Sequence, residues 1–405
     1  MTDKITLNYR YSYITLEDYS TVAGPDWPTF DQFQQHHDVA QSVYDEIDTM
    51  LAPQRKFDHP VFCVLPFYGL EQPGNTACCL LPQDHDIQQI RHDMLQGHRP
   101  SACGKCWNLE DTGIKSDRLL KNETMSFYLD VDTQQLFDQC SINQNTTTLY
   151  KIDTSNTCNA TCVTCGSQAS SAWSALERKN NTVPARSWRI RNNTADAWID
   201  YATATSITFR GGEPLLSATN FYIIEQLIAH NNTRCFISFV TNGSVTPSDY
   251  QLGLISQFAN KNFCFSIDGV GSVFEYLRYP LKWNAIEKNL EFCKINNISR
   301  SVSYTLSNVN VWYHAQTVKW FWDNDLQYQL NPVYDPVYFQ PCVLPSGIKQ
   351  QILSQSACAD LVPLLEPQCS QTNLDLFVAK LKEQDTWKGI HLLDYLPELA
   401  NQLAL

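Results

Sequence analysis

Short apolar runs alternate with longer amphipathic stretches between residues 145 and 335, and this alternation is the dominant pattern of the chain. The runs predict strands at 149–153, 206–209, 234–240, 262–267, 301–306 and 327–330. The stretches between them predict helices, among them 218–229, 247–258 and 283–295. Such alternation is typical of parallel strands joined by right-handed crossovers. Six units of this kind predict the α/β fold class, as a partial (β/α)6 TIM-like barrel over residues 145–335.

Different patterns flank this region. Residues 1–57 are predicted to form an N-terminal arm, with one helix beginning at Thr29 and another over 39–50. Residues 58–120 are predicted to form a small cysteine-rich module, in which the turn signal Gly74-Asn75 between two apolar runs, 61–70 and 76–81, predicts a β-hairpin. A helix is expected after it, over 87–95. Residues 336–405 are predicted to be a helical C-terminal extension, with helices at 373–383 and 396–405.

The charge balance and the lack of long apolar runs restrict the function classes. The chain has 405 residues and a formal net charge of −13 at pH 7. Phosphate binding needs a basic face, so a nucleic-acid partner is not expected. No run of about 18 apolar residues indicates a membrane span, and residues 1–13 lack the apolar core of a signal peptide. We therefore expect a cytoplasmic protein with no membrane partner.

Fifteen cysteines are many for such a chain, and eight of them lie in two groups. Structural disulfides are not expected in a reducing compartment. The first group, Cys158, Cys162 and Cys165, directly follows the first predicted barrel strand. Three soft thiolates so close together suit an iron–sulfur cluster or zinc. A structural zinc site normally closes with four protein ligands, whereas three thiolates on a four-iron cluster leave one iron open to an external ligand.

The Cys-x3-Cys-x2-Cys spacing at the end of a first barrel strand resembles the defining motif of the radical SAM superfamily. The resemblance implies a [4Fe-4S] cluster whose open iron binds the amino and carboxylate groups of S-adenosylmethionine (SAM). It also implies that an electron from the cluster cleaves a carbon–sulfur bond of SAM. Methionine and a 5′-deoxyadenosyl radical result, and the radical removes a hydrogen atom from a substrate. A structural zinc site or a chance triplet is the alternative.

The ends of the next three predicted strands carry residues that the resemblance assigns to SAM. The second strand ends in Gly211-Gly212-Glu213-Pro214, and the equivalent segment of the family contacts the amino group of SAM. The third strand ends in Thr241-Asn242-Gly243 and the fourth in Ser266-Ile267-Asp268-Gly269. Asn242, Ser266 and Asp268 look like the family's ribose- and carboxylate-contacting positions. Ser266 is the first choice for the ribose, and Asp268 is open to SAM or to the substrate. Ordinary strand-terminating turns are the alternative for each.

The second cysteine group lies in residues 58–120 and could close a complete metal site. Its Cys-x2-Cys turn and two distal cysteines resemble the auxiliary-cluster module called twitch or SPASM, here placed before the barrel. Adjacent side chains on a strand diverge, so Cys79 is an alternative to Cys78. Zinc is the chemical alternative to iron–sulfur, and the C-terminal cysteines lack ligand-like spacing. The favoured ligands are Cys63, Cys78, Cys103 and Cys106.

Together these features predict a radical SAM enzyme with a second, auxiliary iron–sulfur cluster. Relatives with auxiliary modules often modify peptides, so a peptide substrate is favoured by analogy, with an electron donor such as flavodoxin or ferredoxin. Oxidoreductase, transferase and isomerase chemistry all stay open. The rival hypothesis is a non-catalytic iron–sulfur or zinc-binding scaffold protein.

Overall fold

The computed structural model describes residues 59–403, except 73, 75, 79, 83, 112–114, 130–131, 144–145, 186, 355–360 and 368, and two short strands near the N terminus. These strands, Lys4–Ile5 (β1) and Ile14–Thr15 (β2), pair in antiparallel fashion. The helices expected at Thr29 and over 39–50 lie outside the described residues. The chain divides into two compact units.

The first unit comprises β1, β2 and the described residues of 59–69 and 76–146, which are mainly helical. The helix predicted over 87–95 is confirmed. The predicted hairpin is wrong, because residues 65–68 form a helix that begins with Pro66 in its first turn, where the fixed φ of proline suits a helix. The helices are Leu65–Tyr68 (α1), Ile87–Leu95 (α2), Gly104–Asp111 (α3), Asp117–Leu129 (α4) and Thr133–Asp138 (α5), with a 3-10 turn at Ser101–Cys103.

The second unit is built on a seven-stranded sheet whose spatial order follows chain order. All strand pairs from the second strand to the last are parallel. Each crossover therefore returns to the neighbouring position, and the predicted partial barrel is confirmed. The strands are Gly69–Gln72 (β3), Leu149–Asp153 (β4), Ser206–Arg210 (β5), Phe236–Thr241 (β6), Lys261–Ser266 (β7), Ser299–Leu306 (β8) and Gln327–Pro332 (β9).

Helices connect the strands and form the C-terminal extension. The crossover helices are Ser171–Lys179 (α6), Asn192–Asp196 (α7), Ala218–Ala229 (α8), Asp249–Ile255 (α9), Ser272–Leu277 (α10), Trp283–Ile295 (α11) and His314–Asp323 (α12). The extension holds Ser346–Leu353 (α13), Val362–Leu365 (α14), Gln371–Lys388 (α15), Leu392–Tyr395 (α16) and Pro397–Leu403 (α17). Short 3-10 helices lie at Pro214–Leu216, Val311–Tyr313, Val337–Phe339 and Pro341–Val343. Among the described residues, no helix combines the length and apolarity that a membrane span requires.

The two faces of the sheet differ in chemistry because neighbouring residues of a strand point to opposite sides. One face is mostly apolar and buried, and its members include Ile207, Phe239 and Phe265. The other face is half-buried and largely polar. Strand register places hydroxyl and amide side chains next to one another on it, and Asn262 Nδ2 donates to Ser301 Oγ at 2.9 Å. This polar face belongs to the concave side expected of a partial barrel.

One expectation about the extension is wrong. Cys342 and Cys369 form a disulfide, although structural disulfides were not expected. Their Cα atoms lie 6.1 Å apart, within the range that a disulfide spans. Sequence spacing alone does not indicate this approach.

Candidate functional site

The first cysteine group lies in the loop of residues 154–170, here called the cysteine loop, which leads from β4 into α6. Its backbone is anchored to the last residue of α10 and to the segment that follows. Thr161 N donates to Tyr279 O at 2.7 Å, and Val163 N donates to Leu277 O at 2.8 Å. These bonds place Cys162 between two fixed backbone points, at the carboxyl end of the sheet.

The glycine loop, residues 211–214, lies directly against the cysteine loop. Gly212 N donates to Ser155 O at 2.9 Å, and Glu213 N donates to Thr157 O at 2.7 Å. A Cβ atom at Gly211, whose φ is +108°, would lie 2.5 Å from Ser155 O. A Cβ atom at Gly212 would lie 2.5 Å from the carbonyl carbon of Thr157. Only glycine permits this approach, so both glycines serve the contact between the two loops.

Glu213 ties the glycine loop to the end of β6. Its carboxylate accepts hydrogen bonds from Thr241 Oγ1 and Asn242 N, both at 2.8 Å, and from Leu215 N at 3.1 Å. The residue is 1% exposed. Burial raises the pKa of Glu213 to about 7, although these three donors favour the ionised form. The carboxylate of Glu213 is thus engaged by the chain's own donors.

Asn242 reaches the cysteine loop with its side chain. Its Nδ2 atom donates to Asn159 Oδ1 at 2.8 Å and lies 3.9 Å from Cys158 Sγ. Ser266 ends β7 and is in register with Ser303 on the polar face of the sheet. The structure therefore brings Asn242 beside the first cysteine and leaves Ser266 at the neighbouring strand end.

Asp268 is paired with a buried arginine that the sequence analysis missed. Arg278 Nη2 lies 2.7 Å from Asp268 Oδ2, and Arg278 Nη1 lies 3.9 Å from Cys162 Sγ. Burial would lower the pKa of Arg278, but the charges of Asp268 and Cys162 outweigh it and the pKa is raised. Asp268 Oδ1 also accepts from Thr305 N at 2.9 Å. Asp268 thus orients a guanidinium toward the thiols.

The three thiols are close enough to influence one another. Burial raises the pKa of Cys162 to about 12, and the neighbouring Cys165 and Cys158 act in the same direction. Burial likewise raises the pKa of Cys158 and of Cys165. Metal ligation needs thiolates, so binding at this loop releases protons. Among the described residues no group of three Cys, His, Asp or Glu side chains is arranged to hold a single metal ion.

The cysteine loop fits an iron–sulfur cluster by the chemistry of its donors. Three soft sulfur atoms come from one loop, and a four-iron cluster takes one thiolate on each iron. An amide of Asn242 and a guanidinium of Arg278 each lie 3.9 Å from one of the sulfur atoms. Both are donors, which suits sulfur atoms that carry negative charge.

In the first unit, the four favoured cysteines of the second group, Cys63, Cys78, Cys103 and Cys106, line one cavity. Burial raises the pKa of Cys103 to about 12 and holds that of Cys63 well above its usual value. Cys79, the alternative ligand, lies outside the described residues.

Arg118 also lines this cavity, and a carboxylate holds it in place. It donates to both oxygens of Glu110, at 2.9 and 2.6 Å. It donates as well to Phe62 O at 2.6 Å, and its guanidinium lies 4.7 Å from the ring centre of Trp107. A charged residue thus supports the wall of the cavity. The sequence alone showed only that Arg118 follows the Cys-x2-Cys turn.

Comparison with known proteins gives loose structural likenesses. No family model and no curated protein matches the chain. The native anSMEcpe structure with bound AdoMet is 20% identical, covers 51% of this chain and 58% of its own, and has a TM-score of 0.38. Streptococcus suis SuiB bound to S-adenosylmethionine is 12% identical, with coverages of 78% and 66% and a TM-score of 0.36. SuiB bound to the precursor peptide SuiA has a TM-score of 0.35 at 12% identity and coverages of 78% and 69%.

The chain spans 58% of the length of the anSMEcpe structure, and all three TM-scores are below 0.5. Its three-cysteine loop, its Gly-Gly-Glu-Pro loop and its strand ends resemble the radical SAM pattern, and solved structures that this chain is similar to include ones with bound S-adenosylmethionine.

Proposed function

We propose that the chain is a radical SAM enzyme that binds a [4Fe-4S] cluster through Cys158, Cys162 and Cys165. The observation that carries the proposal is the fit between the two loops. Gly211 and Gly212 allow the glycine loop to bond Ser155 O and Thr157 O, directly before the first cysteine. A strand-terminating turn would not require two glycines in such close contact with a three-cysteine loop.

When bound, such a cluster supplies one electron to SAM, whose reductive cleavage gives methionine and a 5′-deoxyadenosyl radical. The residues of the chain orient and shield this chemistry. Asn242 and Arg278 donate toward Cys158 and Cys162 and stabilise negative charge on sulfur. Cys162 is half-buried, which limits the access of water to its sulfur atom.

SAM is proposed to bind along the strand ends that follow the glycine loop. The backbone of residues 211–214 lies next to the cysteine loop and is proposed to receive the ammonium group of SAM. Asn242 and Ser266 end adjacent strands and are proposed to contact the ribose. Asp268 is proposed to act through Arg278 rather than as a free carboxylate.

The substrate is proposed to lie on the polar face of the sheet and to be a peptide. Serine, asparagine and glutamine side chains of β7, β8 and β9 offer hydrogen-bond partners there, as backbone amides require. The choice of a peptide follows the analogy with family members that carry auxiliary modules. A flavodoxin or ferredoxin is the proposed electron donor, and the cytoplasm is the proposed compartment.

A second iron–sulfur cluster is proposed in the first unit, on Cys63, Cys78, Cys103 and Cys106. The four thiols line one cavity, with Arg118 beside them. Replacing Cys103 and Cys106 by alanine should lower the iron content after reconstitution while the first cluster stays. Unchanged iron content would contradict this assignment.

Anaerobic reconstitution with iron, sulfide, SAM and a reductant tests the main proposal. Wild-type protein should form 5′-deoxyadenosine, detected by mass spectrometry, and Cys158→Ala should not. Cys235→Ala, which alters a buried thiol outside both groups, is the matched control and should retain the reaction. A fully loaded wild-type protein that forms no 5′-deoxyadenosine would favour the scaffold alternative.

A further inference from the structure

Helix α15 of the C-terminal extension covers part of the cysteine loop. Gln384 Nε2 donates to Val163 O at 3.0 Å, and Lys388 Nζ donates to Gln384 Oε1 at 3.1 Å. Lys388 Nζ also lies 5.0 Å from the ring centre of Trp173, whose Nε1 donates to Cys162 O at 2.9 Å. The helix therefore holds an ammonium group in a fixed position against this loop.

Lys388 differs from the other cation near the thiols. It is 8% exposed and interacts electrostatically with Cys162, Asp385 and Cys165. Its hydrogen bond goes to a neutral amide, whereas Arg278 is paired with Asp268 and its charge is largely offset. The Asp385 carboxylate on the same helix is engaged by the Tyr276 hydroxyl at 2.9 Å and by a backbone N–H at 2.8 Å.

We propose that Lys388 is a positioning residue for electron transfer, whose charge raises the reduction potential of the centre at Cys158, Cys162 and Cys165. This inference rests on the proposed function. One electron from a low-potential external donor makes that centre one charge unit more negative. A buried cation stabilises the more negative state because the surrounding protein screens its field poorly. The contacts to Gln384 and Trp173 keep the ammonium in place in both states.

Lys388→Met removes the charge and keeps most of the side-chain volume, and Lys388→Arg keeps the charge. Lys382→Met, on the exposed side of the same helix, is the matched control. Each full-length protein is reconstituted and titrated at neutral pH with titanium(III) citrate. Electron paramagnetic resonance of the reduced centre follows the titration. Iron content is measured first on every sample.

In Lys388→Met the ratio of reduced to oxidised centre at a fixed potential should fall about tenfold, a shift of about 59 mV for one electron. Lys388→Arg and Lys382→Met should titrate like wild type. An unchanged potential in Lys388→Met, or an equal shift in Lys388→Arg, would overturn the inference. A wild-type protein that binds no iron would instead overturn the proposed function.

If Lys388→Met binds too little iron to titrate, Gln384→Leu offers a second route. It removes the hydrogen bond that fixes Lys388 Nζ and leaves the charge on the chain. A smaller shift in the same direction supports the inference, and an unchanged potential contradicts it.

Discussion

A Cβ atom on Gly212 would lie 2.5 Å from the carbonyl carbon of Thr157, so the glycine loop and the cysteine loop fit only without a side chain at this position. Gly212→Ala should force the loops apart, at a cost of about 1–3 kcal/mol in unfolding free energy. We expect iron binding at the first cysteine group to fall at the same time. Urea denaturation and iron content after reconstitution measure the two effects.

Gly253→Ala is the control for this substitution. Gly253 lies exposed inside α9, and a Cβ atom there meets no other atom within 4 Å. The variant should be more stable by about 0.5–1 kcal/mol, because alanine favours the helix. Equal changes in unfolding free energy and iron content in the two variants would contradict the role of the close contact at Gly212.

The side chain of Asn242 should matter more for SAM binding than for the position of the glycine loop. The backbone N–H of Asn242, and not its side chain, donates to Glu213. Asn242→Ala should therefore leave the glycine loop in place. We expect the affinity for SAM, measured by equilibrium dialysis, to fall about tenfold for a lost hydrogen bond to the ribose. Asn159→Ala removes the partner of the same amide and is the control. Similar losses in both variants would assign the effect to loop structure.

The Glu110–Arg118 pair should stabilise the first unit strongly, because its side chains are only 10% and 4% exposed. Glu110→Gln leaves a buried guanidinium without its counter-charge and should lower the unfolding free energy by about 3–5 kcal/mol. Asp111→Asn breaks the exposed Arg99–Asp111 pair instead and should cost no more than about 1 kcal/mol. Denaturant titrations measure the unfolding free energy of the two variants. Comparable losses of unfolding free energy would contradict a special role for the buried pair.

Stability should fall on acidification because His314 is buried as a neutral ring. Burial lowers the pKa of His314 to about 4 from 6.5, and its Nδ1 lies 3.2 Å from the Tyr304 hydroxyl. The unfolded chain therefore takes up a proton below pH 6.5 that the folded chain takes up only near pH 4. The stabilisation is complete above pH 6.5 and is lost between these values, by about 3 kcal/mol.

His314→Gln should flatten this part of the curve of unfolding free energy against pH. The exposed His391→Gln variant should keep the slope of wild type. A slope that survives in His314→Gln would assign the acid sensitivity to other groups.

Much of the barrel follows from sequence pattern, and the remainder depends on long-range contacts. The predicted strand 149–153 and the helices 218–229 and 283–295 agree with the structure residue for residue, because their apolar periodicity is strong. The prediction of a hairpin was wrong at residues 65–68, where an apolar run of ambiguous period forms a helix with Pro66 in its first turn. The thiols, glycines and strand-end side chains were recognisable from motif spacing.

Sequence patterns did not show that three charged residues lie near the candidate site, namely Arg278, Lys388 and Glu71. Arg278 lies more than 100 positions from the cysteines, and nothing in its local sequence marks it for burial. Glu71 on β3 pairs with Arg210 at the end of β5, which only the order of strands in the sheet reveals. Such charged contacts are set by tertiary structure, to which a single sequence gives no direct access.

The anchoring of the cysteine loop has a consequence for biosynthesis. The loop depends on bonds from Gly212, Tyr279 and Gln384, the last of them 221 positions beyond Val163. A nascent chain that has just exposed the three cysteines at the ribosome lacks all of these partners. These contacts can form only after the later parts of the chain have been synthesised. We infer that iron is inserted after α15 has been translated and has closed the cysteine loop, rather than into the emerging chain.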